Sequence, residues 1–162
     1  MSSDGTRVAI GALPNDGRYS AGYARIYEYA DGSWKQLGDD SSGKSGGDWS
    51  GKSVSISSDG TRVAIGAPWS DGGGYFSGYA RIHEYVDGLW KQLRDDIDGE
   101  STGEGSGWSV SMSSDGTRVA IGATGNCGLG RGGYFAGYVR IHEYVDGSSW
   151  RRNSRGGPPG RS

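Results

Sequence analysis

One eleven-residue segment constrains the fold of this chain more than any other feature. The segment Ser-Ser-Asp-Gly-Thr-Arg-Val-Ala-Ile-Gly-Ala occurs at 2–12, 57–67 and 113–123 without a substitution. Its second serine stands at positions 3, 58 and 114, so the period is 55 and then 56 residues. Self-similarity at such a period indicates a repeat architecture, in which each unit packs against its neighbours.

The pattern at the start of each unit predicts two antiparallel strands. Residues 51–57 and 107–113 alternate between polar and apolar, with Val54 and Ile56 on one face and serines on the other. An Asp-Gly pair follows, and we predict a two-residue type I′ hairpin there, with positive φ at both positions. The next segment, Arg-Val-Ala-Ile-Gly-Ala, is nearly continuously apolar, which is typical of a strand covered on both faces.

Two further strands complete each unit. A third strand is predicted at 22–29, 78–85 and 137–144, and a second Asp-Gly pair leads to a fourth strand that begins with tryptophan. Four antiparallel strands in roughly 50 residues are typical of a β-propeller blade. We therefore predict an all-β fold of about three four-stranded antiparallel blades. The predicted segments are blade 1 at 1–49, blade 2 at 50–105, blade 3 at 106–150 and a disordered tail at 151–162.

Three blades are too few for a complete propeller, which typically has four to eight. The first unit also lacks the strand that precedes the first Asp-Gly pair in the other two units. We therefore expect an incomplete ring. The chain would be a fragment of a larger propeller, or it would associate with further blades, including those of another copy.

Composition excludes several classes of protein. The net charge of −2 provides no basic field for nucleic acid. The single cysteine, Cys127, excludes a disulfide within the chain. No apolar run approaches the ~20 residues of a membrane span, and the N-terminus shows no signal-peptide pattern.

The long loops are the expected place for function. Successive turns of a four-stranded meander alternate between its two ends, so both Asp-Gly hairpins of a blade share one end and its long loops share the other. Binding is commonly carried by such loops on a rigid scaffold. The predicted ligand-presenting loops are 13–21, 68–77, 124–136, 38–49 and 94–105.

Aromatic residues in these loops are the candidate ligand-binding residues. They recur just before the third strand of each unit and would stack on sugar rings or anchor a protein partner. The alternative is that they pack over the blade edges, as large aromatic residues often do. The candidates are Tyr19, Trp69, Tyr75, Phe76, Tyr134 and Phe135.

An acidic stretch in the last of these loops is the candidate metal site. Asp96, Asp98 and Glu100 occupy alternate positions and carry the carboxylate oxygens that Ca²⁺ prefers. The alternative is a solvated acidic connector. No other cofactor is indicated.

The strand and loop motifs resemble the FG-GAP repeat, the blade unit of the integrin-α propeller, over about residues 1–150. The matching motifs are Ser-Gly-Lys-Ser-Val-Ser at 50–55, Ser-Gly-Trp-Ser-Val-Ser at 106–111 and Gly-Ala-Pro at 66–68. Ser50 and Ser106 stand where the family has phenylalanine. The resemblance implies an adhesion-type propeller at the cell surface or outside the cell.

The family's calcium loops lie between the first two strands, where this chain has only Asp-Gly, so we do not transfer them. A kelch-like blade is the competing resemblance. It also has a tryptophan after the third strand, but it has Gly-Gly where this chain has Gly-Ala three times.

We expect a non-catalytic binding module that presents its loops to a protein or glycan ligand. The alternatives are a purely structural repeat array and a hydrolase built on a propeller scaffold. His83 and His142 are equivalent residues, and the first unit has Tyr27 at the same position, which favours packing over catalysis.

Overall fold

The fold consists of three antiparallel sheets that pack against one another in chain order. The computed structural model describes residues 1–13, 21–125, 137–145, 147 and 149–153. These residues form strands and turns, and they include no helix long and apolar enough to cross a membrane. The predicted all-β class and the three antiparallel blades are confirmed. Residues 154–162 of the predicted tail lie outside the described residues.

Each sheet follows the predicted meander. Blade 1 contains β1 (Arg7–Ala12), β2 (Tyr23–Ala30), β3 (Ser33–Gln36) and β4 (Ser41–Ser42). Blade 2 contains β5 (Ser53–Ile56), β6 (Arg62–Ala67), β7 (Tyr79–Val86), β8 (Leu89–Gln92) and β9 (Ile97–Asp98). Blade 3 contains β10 (Ser109–Met112), β11 (Arg118–Ala123), β12 (Tyr138–Val145) and β13 (Ser149–Arg152). The last strand therefore continues two residues beyond the predicted blade boundary at 150.

Strand β6 lies at the centre of the packing and is covered on both faces, as predicted, whereas the identical strand β1 leaves Ile10 48% exposed. Val63 and Ile65 are 0% and 1% exposed and pack towards blade 1, against Ala24 and Ile26 of β2. Ala64, between them, is 0% exposed and belongs to the core shared with blade 3. Alternation along one strand thus joins two separate hydrophobic cores.

The core between blades 2 and 3 repeats this arrangement. Ala80 and Ile82 of β7 pack against Val119 and Ile121 of β11, and all four are at most 1% exposed. Blades 1 and 2 therefore each present the apolar face of their third strand to the second strand of the next blade.

The first Asp-Gly turn of each unit differs from the prediction. Gly60 has a φ of 69°, but Asp59 does not have a positive φ, so this turn is not type I′. The Gly60 N–H donates to the Ser57 carbonyl oxygen at 3.0 Å. The Asp59 carboxylate accepts hydrogen bonds from Ser57 Oγ at 2.6 Å and from the Thr61 N–H at 3.0 Å. These side-chain bonds favour a wider turn over the two-residue hairpin.

The second Asp-Gly pair does form a type I′ turn in blades 1 and 2. Asp31 and Gly32 have φ of 52° and 79°, and Asp87 and Gly88 have 55° and 81°. Both residues of each turn are in the left-handed region that this hairpin requires.

The fourth strand is divided into two pieces in blades 1 and 2. Gly38 and Arg94 occupy the same position after the first piece and have φ of 75° and 71°. Strands β4 and β9 then resume pairing with β2 and β7, respectively. The break places an acidic residue, Asp40 or Asp96, beside the third strand.

Candidate binding cleft at the loop end

The long loops of blades 1 and 2 border a cleft of about 790 Å³. One wall is residues 44–49 of the predicted loop 38–49, and the other is residues 69–72 with Tyr75 and Phe76 of the predicted loop 68–77. The Trp69 N–H donates to the Asp48 carbonyl oxygen at 3.2 Å, which joins the two walls. The cleft is thus built by two of the five loops that the sequence indicates.

Aromatic side chains dominate the cleft. Trp69 stacks on Trp49 with ring centroids 4.8 Å apart, and the Phe76 ring meets Trp69 at 5.0 Å in an edge arrangement. Tyr75 lies against Phe76, with centroids 4.0 Å apart. Trp69 remains 36% exposed and Tyr75 52% exposed. The structure therefore brings Trp69, Tyr75 and Phe76 together, and these residues both pack on one another and face solvent.

A buried carboxylate shapes the first wall. Asp48 is only 3% exposed, and its Oδ2 accepts hydrogen bonds from the backbone N–H groups of Lys44 and Ser45, both at 2.9 Å. These bonds hold the Gly46-Gly47 bend that carries Trp49 into the cleft. Because a buried carboxylate needs hydrogen-bond donors, Asp48 fixes the conformation of this loop.

The second wall is held in the same manner. The Asp71 carboxylate accepts the Phe76 N–H at 2.8 Å. The Tyr75 and Phe76 carbonyl oxygens accept the N–H groups of Gly103 and Gly105 at 2.8 and 3.1 Å. The aromatic loop is thereby tied to the predicted loop 94–105, and its rings are positioned before any ligand arrives.

The acidic connector forms ion pairs instead of converging on one point. Asp96 has a side chain only 2% exposed, and it accepts hydrogen bonds from Arg81 at 2.7 and 3.0 Å. The Lys44 ammonium lies 2.5 Å from the same carboxylate. Burial alone would raise the pKa of Asp96, but the hydrogen bonds from Arg81 and Lys44 hold that pKa below its usual value.

The other two predicted metal ligands have different surroundings. Glu100 accepts hydrogen bonds from Arg140 and Arg152, each at 3.0 Å. Asp98 lies in the short strand β9 and is exposed. Among residues whose placement is described, no three His, Cys, Asp or Glu side chains come together to hold a metal ion. The structure thus does not bring Asp96, Asp98 and Glu100 into one site.

Comparison with known proteins identifies the architecture. The chain is similar to the crystal structure of TolB from Acinetobacter baumannii, with a TM-score of 0.52 and 12% identity, over 95% of this chain and 32% of that one. It is also similar to a putative TolB from Agrobacterium tumefaciens, with a TM-score of 0.50 and 14% identity, over 93% of this chain and 46% of that one. The fold is that of a β-propeller. The chain spans less than half of either of these structures.

No protein-family model and no curated protein matches the sequence. The structural neighbours establish the propeller part of the prediction. The resemblance to FG-GAP repeats stays a prediction. Identities of 12% and 14% show a common fold and do not transfer a ligand.

Three of the predicted aromatic residues, Tyr19, Tyr134 and Phe135, lie outside the described residues. The same holds for 14–20 of the loop 13–21 and for 126–136 of the loop 124–136. The candidate site therefore rests on the loops of blades 1 and 2 that border the cleft.

Trp49 is the cleft residue that sequence reasoning missed. It is half-buried and contributes one side of the aromatic stack. The equivalent position in the next unit is Gly105, so a tryptophan there is specific to one copy. A large aromatic residue that appears in one repeat only, inside a loop of Gly, Ser and Asp, is the signal that would have identified it.

The two histidines are core residues of the described sheets. His83 and His142 are each 9% exposed and lie on the third strands of blades 2 and 3. Burial, reinforced by the nearby Arg81 charge, lowers the pKa of His83 to about 4, so this ring is neutral at pH 7. Burial likewise lowers the pKa of His142.

Proposed function

We propose that this chain is a non-catalytic interaction module that binds a protein or glycan ligand in the cleft between blades 1 and 2. The observation that carries the proposal is the partly exposed aromatic cluster on the wall of the cleft. Trp69 and Tyr75 keep 36% and 52% of their surface in water although they pack on neighbouring rings. Exposed aromatic surface in a concave site is a common anchor for ligands.

The energetic argument follows from the exposed area. Covering apolar surface contributes about 25 cal/mol per Å², and a small number of aromatic anchors commonly carry most of the affinity of an interface. The hydrogen bonds at Asp48 and Asp71 already fix the loops, so binding requires little additional ordering.

Polar groups around the rings support selectivity for an oriented ligand. The cleft is bordered by Asp71 and by the backbone of the glycines at 46, 47 and 72. Such donors and acceptors can form hydrogen bonds with sugar hydroxyls or with peptide groups. The aromatic rings can pack against the face of a pyranose ring or against an apolar side chain.

The chemistry of the cleft supports binding over turnover. Asp48 is committed to two backbone N–H groups, and Asp71 accepts a backbone N–H as well. The lining residues of the described part of the chain include no histidine that would act as a general base. The resemblance to adhesion propellers supports the same kind of role.

Ligand screening with matched variants tests this proposal. Purified chain is applied to a glycan array and used in partner pull-downs, and each hit is measured by calorimetry with the wild type and with Trp69→Ala and Tyr75→Ala. We expect each variant to weaken binding at least about tenfold, the loss typical of an interface anchor. The control is Leu89→Ala, which removes a 53% exposed residue outside the cleft and is expected to leave binding unchanged.

Three results would contradict the proposal. Hits that retain full affinity in both aromatic variants would place the ligand elsewhere. Hydrolysis of a glycan probe by the wild type would favour the enzyme alternative. A screen without any saturable hit would favour the purely structural array.

A further inference from the structure

We propose that two copies of this chain associate head to tail and form a closed ring. The outer face of blade 3 is the face that points away from blade 2, and the outer face of blade 1 is defined in the same way. The outer face of blade 3 in one copy would pack on the outer face of blade 1 in the other copy. A twofold axis would generate two such contacts. This interface is independent of the ligand cleft. Its partner is a second copy because the two outer faces carry the complementary halves of the contact that the chain already makes between its own blades.

The apolar half of the argument concerns equivalent residues of the third strands. Ala80 and Ile82 of blade 2 are buried against blade 3. Their equivalents in blade 3, Val139 and Ile141, are 67% and 47% exposed. The apolar face of the third strand is therefore exposed to solvent in blade 3, whereas the equivalent face of blade 2 is buried against the next blade.

The opposite end of the chain carries the matching surface. Val63 and Ile65 of β6 receive the third strand of blade 1 and are fully buried. Their equivalents in blade 1 are Val8 and Ile10, and Ile10 is 48% exposed. The same isoleucine position is thus buried against a neighbouring blade in blade 2, as Ile65, and exposed to solvent in blade 1, as Ile10.

One set of polar contacts has its donor in one blade and its acceptor in the next blade at both junctions. Arg7 donates to the Gly60 carbonyl oxygen of blade 2 at 3.2 Å, and its guanidinium lies 5.1 Å from the centre of the Tyr85 ring. Arg62 makes the same two contacts with blade 3, to the Gly116 carbonyl oxygen at 3.2 Å and to the Tyr144 ring at 5.2 Å.

The next members of this series lie at the two ends of the chain. Arg118 has a side chain that is 54% exposed, compared with 19% for both Arg7 and Arg62. The corresponding acceptor and ring on blade 1 are the Gly5 carbonyl oxygen and the ring of Tyr29, a residue that is 49% exposed. Arg118 of one copy is therefore suited to Gly5 and Tyr29 of another.

A backbone hydrogen bond repeats in the same direction. The Ser3 N–H donates to the Ser58 carbonyl oxygen at 2.8 Å, and the Ser58 N–H donates to the Ser114 carbonyl oxygen at 2.9 Å. Extension by one blade would join the Ser114 N–H of one copy to the Ser3 carbonyl oxygen of the other.

Ring closure is compatible with the number of described blades. The described part of each copy contributes three blades, so a pair contributes six, within the four to eight that propellers use. A head-to-tail contact gives a ring when its rotation closes and an open filament when it does not. The contact would bury Ile10 of one copy and Val139 and Ile141 of the other away from water. A single charge on either face should therefore disrupt it.

The test is the mass of the full chain in solution by light scattering after size exclusion, supported by sedimentation equilibrium. We expect about 34 kDa, twice the 17.0 kDa of one chain, at micromolar concentration. Ile10→Glu and Ile141→Lys each place a charge in both contacts of the ring and are each expected to give a monomer of unchanged circular dichroism. Leu89→Glu, at a 53% exposed site away from both faces, is the control that should remain dimeric.

Mixing the two charged variants distinguishes a head-to-tail ring from any other dimer. One contact of the mixed pair joins unmodified Ile10 to unmodified Ile141, and the other joins the introduced glutamate to the introduced lysine, so the mixture should recover the dimer mass. A wild-type monomer, a dimer that neither substitution weakens, a mixture that stays monomeric, or an open polymer would each overturn the proposal. If a variant loses its circular dichroism, Arg118→Ala and Tyr29→Ala test the same contact at exposed positions.

Discussion

Arg81 holds the Asp96 carboxylate by two hydrogen bonds in a buried fork, with side chains that are 11% and 2% exposed. The equivalent pair in blade 1 is Arg25 and Asp40, at 2.8 and 2.9 Å, with side chains that are 38% and 30% exposed. The same local motif therefore exists in the chain as a buried pair and as a more exposed pair. This difference in burial permits a matched test.

Asp96→Asn should destabilise the protein far more than Asp40→Asn. Replacement of a buried carboxylate leaves the partner cation without compensation, and such losses are about 3 kcal/mol or more, whereas more exposed pairs contribute little. Urea unfolding of both variants measures the difference. Equal losses in the two variants would contradict the assignment of Asp96 as a buried structural ion pair.

The buried His83 should make the protein less stable in weak acid. Its pKa is lowered to about 4, so the unfolded chain binds a proton below pH ~6.5 while the folded chain stays neutral. The free energy of unfolding should therefore fall as the pH drops from 7 to 5, by about 2 kcal/mol from this residue, and the loss should be complete below pH ~4.

His83→Tyr, which introduces the residue that blade 1 has at this position, is the matched variant for this effect. Urea unfolding between pH 7 and pH 5 should show a shallower pH dependence in the variant. His142 retains its own contribution because burial lowers its pKa as well. If the free energy of unfolding of His83→Tyr depended on pH as steeply as that of the wild type, His83 would bind a proton as readily in the folded protein as in the unfolded chain.

Gly60→Ala should destabilise the protein more than Gly88→Ala. Both glycines have a positive φ, 69° and 81°, so either alanine adds roughly 1 to 2 kcal/mol of backbone strain. A methyl group at Gly60 would also lie 2.7 Å from Cδ and 3.1 Å from Cβ of Arg7 in the neighbouring blade, whereas nothing lies within 4 Å at Gly88. Thermal and urea unfolding of the two variants isolate the contact between blades. Similar losses would argue against the tight packing of Arg7 on this turn.

The sequence was sufficient to predict the blades because their signals are local. Alternating residues in β5 and the continuous apolar run of β6 predict a strand at each position. The number of covered faces depends on the place of the strand in the array, because the identical strand β1 leaves Ile10 48% exposed. The clustering of Trp69, Tyr75 and Phe76 followed from their position in one loop on the end opposite the hairpins.

Other features depended on contacts that a local pattern does not contain. The Asp59-Gly60 pair predicts a two-residue turn, but hydrogen bonds from Ser57 and Thr61 favour a wider one. The carboxylates of 96–100 have the spacing of a metal loop. Arginine and lysine side chains from other strands and loops form ion pairs with two of them instead. Arg81 and Lys44 reach Asp96, and Arg140 reaches Glu100.

The directional contacts of Arg7 and Arg62 also bear on how such a chain grows. Each unit carries a donor for the unit that follows and an acceptor for the unit that precedes, all encoded within its own segment. These repeated contacts therefore do not specify the order of the blades. A duplicated unit would already contain the donor and the acceptor residues of both of these contacts. Gene duplication can therefore lengthen this array without the coordinated substitutions that a new domain interface normally requires.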